Sequence, residues 1–254
     1  MNHLTIDIGN TDTVFGFWAQ YAPEPEILRI STKTLIPEDS SFDSGQQHLL
    51  NDWKRIGMIK IIMSSVVPAA THNIYRLVNH LFKLEINVLD PSSFARLPLK
   101  ILRPDQIGAD LVANALAAHV LFHLNSIIVD FGTAMSFTTI DCEGKILGVS
   151  IAPGLQTAIK SLTSNAAQLF AVPLEMPASS LGQSTEHAIQ AGIMYGYDGL
   201  VRGIIKSQED ELGYKLNVIM TGGLSQKIPK LKDNVNHYEP YLTLKGLKYA
   251  LDYL

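Results

Sequence analysis

Short apolar runs, separated by turns and by segments of helical spacing, recur along the first half of the chain. Such runs predict buried strands, here at 4–8, 14–18, 27–32, 59–63 and 86–89. Apolar residues at helical spacing predict helices near 42–56, 71–82 and 106–124. Strands that alternate with helices favour an α/β sheet over a β-sandwich.

The second half of the chain opens with the same pattern as the first. Ile127–Ala134 repeats the order of Leu4–Thr11, which is an apolar strand, Asp, any residue, Gly and a small polar side chain. Asp7 and Asp130 are 123 positions apart, close to half of the chain. A repeat of this length indicates a duplicated domain, because the period of a solenoid is roughly 20–50 residues. We expect an N-terminal domain at 1–120 and a C-terminal domain at 121–254.

The later elements of the second half complete the repeat. Strands are predicted at 135–141, 146–151 and 216–220, and helices near 155–168, 185–207 and 243–254.

Composition and charge narrow the class of protein. The chain has 254 residues with 46% hydrophobic positions, enough for a sizeable core. A net charge of -4 gives no overall basic excess for a nucleic-acid partner. One cysteine, Cys142, excludes an intrachain disulfide framework and a cysteine zinc site. With no basic-then-apolar leader and no apolar stretch of about 20 residues, we expect a cytoplasmic protein without a membrane partner.

An Asp-x-Gly sequence ends the opening strand of each half. Gly9 allows a turn without a Cβ penalty, and the residues after it offer backbone N–H groups and a hydroxyl to phosphate oxygens. Asp7 could hold hydrated Mg²⁺, which takes one or two carboxylates plus substrate phosphates. A single copy is typical of an ordinary turn. Two copies, each after a buried strand, favour a phosphate clamp across an interdomain cleft.

Two further motifs each allow two interpretations. Thr221-Gly222-Gly223 follows a predicted strand, and is either an ordinary strand-to-helix turn or a place where adenine or ribose approaches the backbone. Asp110 falls in the first turn of the helix that joins the halves. A carboxylate there either complements the helix dipole or acts as a general base in the cleft.

The order of these motifs resembles that of type III pantothenate kinases. The matching motifs are Asp7–Thr11, Gly108–Asp110, Asp130–Ala134, Pro153-Gly154 and Thr221–Gly223. Weaker similarities at 29–32, 64–68, 181–185, 188–192 and 242–247 extend the resemblance over essentially the whole chain. The resemblance implies the α/β fold of actin, Hsp70 and sugar kinases (ribonuclease H-like), with two duplicated domains around a nucleotide cleft.

The resemblance also implies an activity. Members phosphorylate pantothenate with ATP to 4'-phosphopantothenate, the first step to coenzyme A, as homodimers that need Mg²⁺ and a monovalent cation, K⁺ or NH₄⁺. By this resemblance Asp110 would be the general base, Asp130 would bind K⁺, and Asp7 would lie near Mg²⁺. The ATP-binding residues would be Asp7, Ile8, Gly9, Asn10, Thr11, Asp12, Thr13, Val14 and Thr133. Pantothenate would bind at the dimer interface to Gly108, Ala109, Asp110, Leu111 and Thr185.

Departures from the family pattern fall on the acceptor side. The family usually has Arg directly after the catalytic Asp, where this chain has Leu111, and Tyr and Asn where it has Ile101 and Arg103. A charge-assisted contact to an anionic substrate is worth roughly 1.5–3 kcal/mol, which is about 10–100-fold in binding. Two alternatives therefore stay open. One is a non-catalytic, nucleotide-binding paralogue with a regulatory protein partner, and the other is a kinase for another small hydroxyl substrate.

Overall fold

Each half of the chain folds around a five-stranded sheet, and the order of strands is the same in both. The computed structural model describes residues 1–57, 59–166 and 168–254, with the backbone alone at 226 and 232–234. We call Met1–Leu121 together with Leu242–Leu254 the N-terminal unit, and Phe122–Tyr241 the C-terminal unit.

In the N-terminal unit the sheet order is β3-β2-β1-β4-β5. The strands are β1 (Asn2–Ile8), β2 (Asp12–Trp18), β3 (Glu26–Ser31), β4 (Ile59–Ser65) and β5 (Ile86–Leu89). β1 to β3 form an antiparallel meander, and β1, β4 and β5 are parallel. The helices are α1 (Thr32–Leu35), α2 (Ser44–Ile56), α3 (Pro68–Phe82) and α4 (Ala109–Phe122), which ends at the boundary between the units.

In the C-terminal unit the order is β8-β7-β6-β9-β10, with the same pattern of antiparallel and parallel pairs. The strands are β6 (Ser126–Phe131), β7 (Ala134–Ile140), β8 (Ile146–Pro153), β9 (Asn217–Thr221) and β10 (His237–Tyr238). The helices are α5 (Leu155–Asn165) and α6 (Thr185–Leu212). The last helix of the chain, α7 (Leu242–Ala250), belongs to the N-terminal unit.

Local sequence explains where several helices begin and end. In α2 the Asp43 carboxylate accepts the N–H of Gln46, while the Gln46 side chain accepts the N–H of Asp43, a reciprocal N-cap. Pro68 starts α3, where its missing N–H leaves no helical bond unmade. α6 ends at Gly213, whose φ of 78° suits a residue without a Cβ.

Each sheet buries one apolar face against helices of its own unit. In the N-terminal unit Phe17 stacks on Trp53 of α2, with ring centroids 5.4 Å apart. In the C-terminal unit the apolar residues of β6 and β7 pack with Met194 and Val201 of α6, both at most 1% exposed. These cores fix the ends of β1 and β6, where the Asp-x-Gly turns lie.

The structure corrects the assignment of the C-terminal segment. The predicted C-terminal domain, 121–254, includes the segment 242–254, but this segment packs with the N-terminal unit. Gly246 of α7 lies so close to α4 that a Cβ there would be 1.9 Å from the carbonyl oxygen of Ala113. Thr243 also donates a hydrogen bond of 2.8 Å to the buried side chain of Asn114. Contacts of this kind join segments distant in sequence, so periodicity alone does not predict them.

The α/β class and the duplicated strand pattern are confirmed, with small differences at the ends of elements. The helix predicted at 155–168 ends at Asn165, and Ala167 lies outside the described residues. The helix predicted at 185–207 continues to Leu212. The two-residue β10 and the one-turn α1 are too short to leave a periodic signal. Among the helices described, we find none with the length and apolarity needed to cross a membrane.

Candidate active site

The first Asp-x-Gly turn joins β1 to β2 in the N-terminal unit. Asn10 and Thr11 at its tip are exposed, whereas Thr13 directly after it is buried. Two carbonyls of the turn accept hydrogen bonds from Thr32 of α1: that of Gly9 from the hydroxyl at 2.7 Å, and that of Thr11 from the N–H at 2.9 Å. The turn is thereby held from its buried side, and its tip stays accessible to a ligand.

The carboxylate of Asp7 lies at the end of β1, beside the end of β4. The hydroxyl of Ser64 on β4 donates to Oδ1 of Asp7 at 3.0 Å, and Ser64 is fully buried. Within the described residues no three His, Cys, Asp or Glu side chains form a metal-binding group. A single partly buried carboxylate beside a turn with an accessible tip would fit Mg²⁺, which keeps several waters and takes its remaining ligands from substrate phosphates.

Asp110 occupies the first turn of α4, and Gly108 before the helix makes room for its carboxylate. A Cβ at Gly108 would lie 2.3 Å from Oδ1 of Asp110. The same oxygen accepts the N–H of Leu111 at 2.9 Å. Any side chain at 108 would displace the carboxylate, so the Gly-Ala-Asp sequence has a direct structural reason.

Burial raises the pKa of Asp110 above its ordinary value of 3.8, although hydrogen bonds from the N–H groups of Leu111 and of Asp110 itself oppose the change. A carboxyl with a raised pKa holds a proton more readily than an exposed one. Both earlier interpretations of Asp110 agree with this geometry, since the helix N-terminus stabilises its charge and partial burial makes it a better base.

The second Asp-x-Gly turn joins β6 to β7 in the C-terminal unit. Thr133 at its tip is exposed, and its carbonyl accepts the N–H of Gly154 at 3.0 Å and the hydroxyl of Thr157 at 2.7 Å. Gly154 lies directly under the turn, because a Cβ there would be 2.2 Å from the carbonyl oxygen of Gly132. The Pro153-Gly154 motif therefore supports this turn.

Asp130, the second-last residue of β6, lies next to Gly222, which directly follows β9. Gly222 has a φ of +91°, and a Cβ on it would lie 2.6 Å from both Oδ1 of Asp130 and the N–H nitrogen of Phe131. Gly222 is thus needed for close packing of the two strand ends, which is the ordinary turn interpretation. Among the described residues, no atom beyond the two chain neighbours lies within 4 Å of a Cβ placed on Gly223.

The remaining predicted residues lie in separate places. Leu111 is partly buried beside Asp110, whereas Arg103 before α4 is exposed. Thr185 is exposed in the first turn of α6, where the Ser184 hydroxyl accepts the N–H of His187 at 3.2 Å. Asp12 forms an exposed ion pair of 3.1 Å with Arg29, a contact of little energetic weight.

Two residues that support the first turn were not predicted as site residues. Ser64 and Thr32 both lie in segments whose similarity to the family was weak, at 64–68 and 29–32. Both are buried polar residues at strand ends. Their position directly after apolar strand runs was the signal in the sequence that could have indicated them. Only the folded sheet shows which groups they bind by hydrogen bonds.

Two solved structures share the fold of this chain. A protein from Campylobacter jejuni described as a Baf family transcriptional activator superposes with a TM-score of 0.61 at 18% identity, over 98% of this chain and 97% of that one. A protein from Sinorhizobium meliloti described as a 2-dehydro-3-deoxygalactonokinase superposes with a TM-score of 0.54 at 10% identity, over 98% and 95%. Such likeness shows the fold, which is the actin-like fold of sugar kinases.

Sequence relatives narrow the class to one family. The family model for type III pantothenate kinase matches residues 3–207. A type III pantothenate kinase from Parafrankia sp. is 37% identical over 98% of this chain and 97% of its own length. One from Treponema pallidum is 38% identical over 96% and 91%. The chain belongs to the type III pantothenate kinase family.

The raised pKa of Asp110 makes a prediction about stability. Below the ordinary value of 3.8 the group is protonated in folded and unfolded chains alike, and stability is lost as the pH rises through the raised folded-state pKa. Asp110→Asn should therefore melt at a higher temperature than the wild type at neutral pH, with the difference shrinking towards pH 3.

Differential scanning fluorimetry across that pH range measures the effect. Exposed Asp39→Asn serves as the matched control for removing a carboxylate. An Asp110→Asn protein that melts below the wild type at neutral pH would show that the carboxylate contributes stabilising contacts instead.

Proposed function

We propose that this chain transfers the γ-phosphate of ATP to the primary hydroxyl of pantothenate, with Asp110 as the general base. Membership of the type III pantothenate kinase family supports the reaction and both substrates. The observation that carries the assignment of the base is the Asp110 carboxylate, partly buried and held over Gly108 at the start of α4.

In the proposed reaction the phosphates of ATP bind to the exposed tips of the turns. Asn10, Thr11 and Thr133 offer side chains and backbone N–H groups to phosphate oxygens, as backbone nests do in other phosphate sites. Phosphoryl transfer depends mainly on positioning and on charge stabilisation. Turns that are hydrogen-bonded to the fold provide positioning that does not have to be created when ATP binds.

The chemical step exchanges one bond for another. The oxygen of the primary hydroxyl forms a bond to the γ-phosphorus, while the bond from that phosphorus to the bridging oxygen breaks and its electron pair leaves with ADP. The hydroxyl proton passes to the carboxylate of Asp110. The raised pKa helps Asp110 to keep that proton until the product leaves.

Carboxylates beside a triphosphate require cations between them. We propose that Asp7, held by Ser64, binds Mg²⁺, and that Asp130 binds a monovalent cation, K⁺ or NH₄⁺. When bound, Mg²⁺ neutralises charge on the phosphates as it does in other phosphoryl-transfer sites. The hydrogen bond from Ser64 to Oδ1 restrains the carboxylate of Asp7 at the end of β1.

The family pattern and one exposed edge support a homodimer. β8 is an edge strand of its sheet, and it exposes two apolar side chains, Val149 at 37% and Ile151 at 68%. An exposed apolar edge strand favours pairing with a second chain. We propose that the homodimer works in the cytoplasm and that Gly108, Ala109, Leu111 and Thr185 line the pantothenate site.

Leu111 favours a second candidate, a kinase for another small hydroxyl acceptor. An apolar, partly buried side chain stands directly after the proposed base, where the family usually has an arginine. Such a side chain offers no ion pair to a carboxylate on the acceptor. The candidate differs from the first only in the acceptor, so one assay separates the two.

Release of ADP by the purified protein with ATP, Mg²⁺ and K⁺ tests the proposal. We expect ADP release that depends on pantothenate and that falls about 100–10,000-fold in Asp110→Asn, the usual range for losing a general base. Asp39→Asn controls for the loss of a carboxylate. Turnover with other hydroxy acids but not with pantothenate would favour the second candidate. Binding of ATP without any turnover would favour a non-catalytic relative that acts through a protein partner.

Arg103 offers a positive charge near the start of α4 that replaces the usual arginine. We expect Arg103→Asn to raise KM for pantothenate about 10–100-fold while KM for ATP stays unchanged, because a charge-assisted contact is lost. Adding Leu111→Arg to this variant should recover binding. Arg55→Asn, at an exposed arginine in the last turn of α2, is the matched control. A double variant no better than Arg103→Asn alone would contradict this role.

A further inference from the structure

Both units hold their Asp-x-Gly turn with the same ladder hydrogen bond. In the N-terminal unit Thr13 pairs with Ile30, so Thr32 lies two residues beyond the pair and donates its N–H to Thr11. In the C-terminal unit Met135 pairs with Ala152, and Gly154 lies two residues beyond it and donates its N–H to Thr133. Thr32 and Gly154 therefore occupy equivalent positions under the two turns.

The two positions differ in what occupies the space of the side chain. Under the second turn the space of a side chain is filled by the turn itself, since a Cβ on Gly154 would lie 2.2 Å from the carbonyl oxygen of Gly132. Under the first turn that space holds the side chain of Thr32, whose hydroxyl donates to Gly9 at 2.7 Å. The first turn thus depends on a side chain where the second depends on a glycine.

The Thr32 hydroxyl is part of a buried chain of hydrogen bonds. Its oxygen lies 3.0 Å from the hydroxyl oxygen of Thr13, and both residues have no exposed surface. Because the single hydroxyl hydrogen of Thr32 goes to the carbonyl of Gly9, Thr13 is the donor and Thr32 the acceptor in this pair. Each hydroxyl fixes the rotation of the next, so the Thr32 donor has one orientation.

That orientation determines which way a peptide of the turn faces. The peptide between Gly9 and Asn10 is trans and planar, so its N–H points opposite to its C=O. The carbonyl of Gly9 faces buried Thr32, and the N–H of Asn10 therefore faces away from it, on the side where Asn10 and Thr11 are exposed. This is the direction from which an anion reaches the tip of the turn.

We propose that Thr32 is a positioning residue for nucleotide, whose hydroxyl orients the Gly9–Asn10 peptide so that the N–H of Asn10 faces the phosphates of ATP. The inference rests on the proposed function only in that the first turn binds ATP. Under this proposal the buried Thr32 affects the binding of ATP and does not affect the binding of pantothenate.

Calorimetric binding of ATP with Mg²⁺, without an acceptor, tests this role in Thr32→Val, which keeps the shape of threonine and loses the hydroxyl. We expect the Kd of ATP to rise about 3–10-fold, the effect of losing one orienting hydrogen bond. In steady-state assays KM for ATP should rise by the same factor, while KM for pantothenate and kcat stay within about twofold of the wild type. Thr32→Ser, which keeps the hydroxyl, should restore the wild-type Kd.

Thr5→Val is the matched control, because it removes another buried hydroxyl from the N-terminal unit. Thr5 has no exposed surface and donates to the carbonyl of Gly16 at 3.2 Å. It should lower the melting temperature without changing the Kd of ATP. The proposal is overturned if Thr32→Val binds ATP like the wild type, if Thr5→Val weakens ATP equally, or if both KM values rise together. If Thr32→Val does not fold, Thr32→Cys, with a weaker donor, takes its place under the same criteria.

Failure of the proposed function gives a different result. If the wild-type chain binds ATP but never phosphorylates pantothenate, the proposed acceptor is wrong. Weaker ATP binding by Thr32→Val would then still support the role of Thr32. If the wild-type chain turns over pantothenate and Thr32→Val binds ATP like the wild type, only the role of Thr32 is contradicted. A wild-type chain that does not bind ATP overturns both.

Discussion

The arrangement of both turns depends on the geometry of the trans peptide. When the C=O of a peptide accepts a hydrogen bond from the buried side of a turn, the N–H of the same peptide points to the opposite side. In both units the residue two places beyond a strand pair binds a carbonyl of the Asp-x-Gly turn. We propose that a turn so held offers N–H groups and hydroxyls to a ligand without further ordering. Preorganised donors of this kind cost no reorganisation at the moment of reaction.

Each sheet holds the turn of its own unit at the end of a central strand. β1 and β6 are central strands, each buried on an apolar face and paired on both sides. Their ends move little because the neighbouring strands and the packed cores restrain them. The polar groups at these ends, Asp7 with Ser64 and Asp130 beside Gly222, are positioned by strand register.

Asp110, the proposed general base, illustrates how a buried carboxylate lowers the stability of the folded chain. Partial burial raises its pKa, and the ionised form is the one that costs free energy to keep in the folded chain. The N–H groups at the start of α4 offset part of that cost. Gly108 matters here because it lets the carboxylate lie where these N–H groups can reach it. The proposed role of Asp110 as the base would explain a buried carboxylate that packing alone does not favour.

Much of the fold could be predicted from the sequence, because strands, helices and turns leave patterns within short segments of the chain. Apolar strand runs and the repeated Asp-x-Gly predicted two sheets with the same pattern, and both Asp7 and Asp130 do lie at strand ends. The packing of α7 against α4 could not be predicted, since it depends on Gly246 meeting a backbone distant in sequence. The role of Thr32 could not be predicted for the same reason, because its partners become neighbours only when β3 pairs with β2.

The identity of the acceptor is the central claim, and ³¹P NMR of the reaction mixture tests it most directly. With ATP, Mg²⁺, K⁺ and pantothenate we predict a new phosphate monoester signal, split by the two protons of an adjacent CH₂ group, that grows in step with ADP. That signal would establish phosphate on the primary hydroxyl. Growth of ADP with inorganic phosphate alone, or no change in ATP under conditions where the folded protein binds it, would contradict the account.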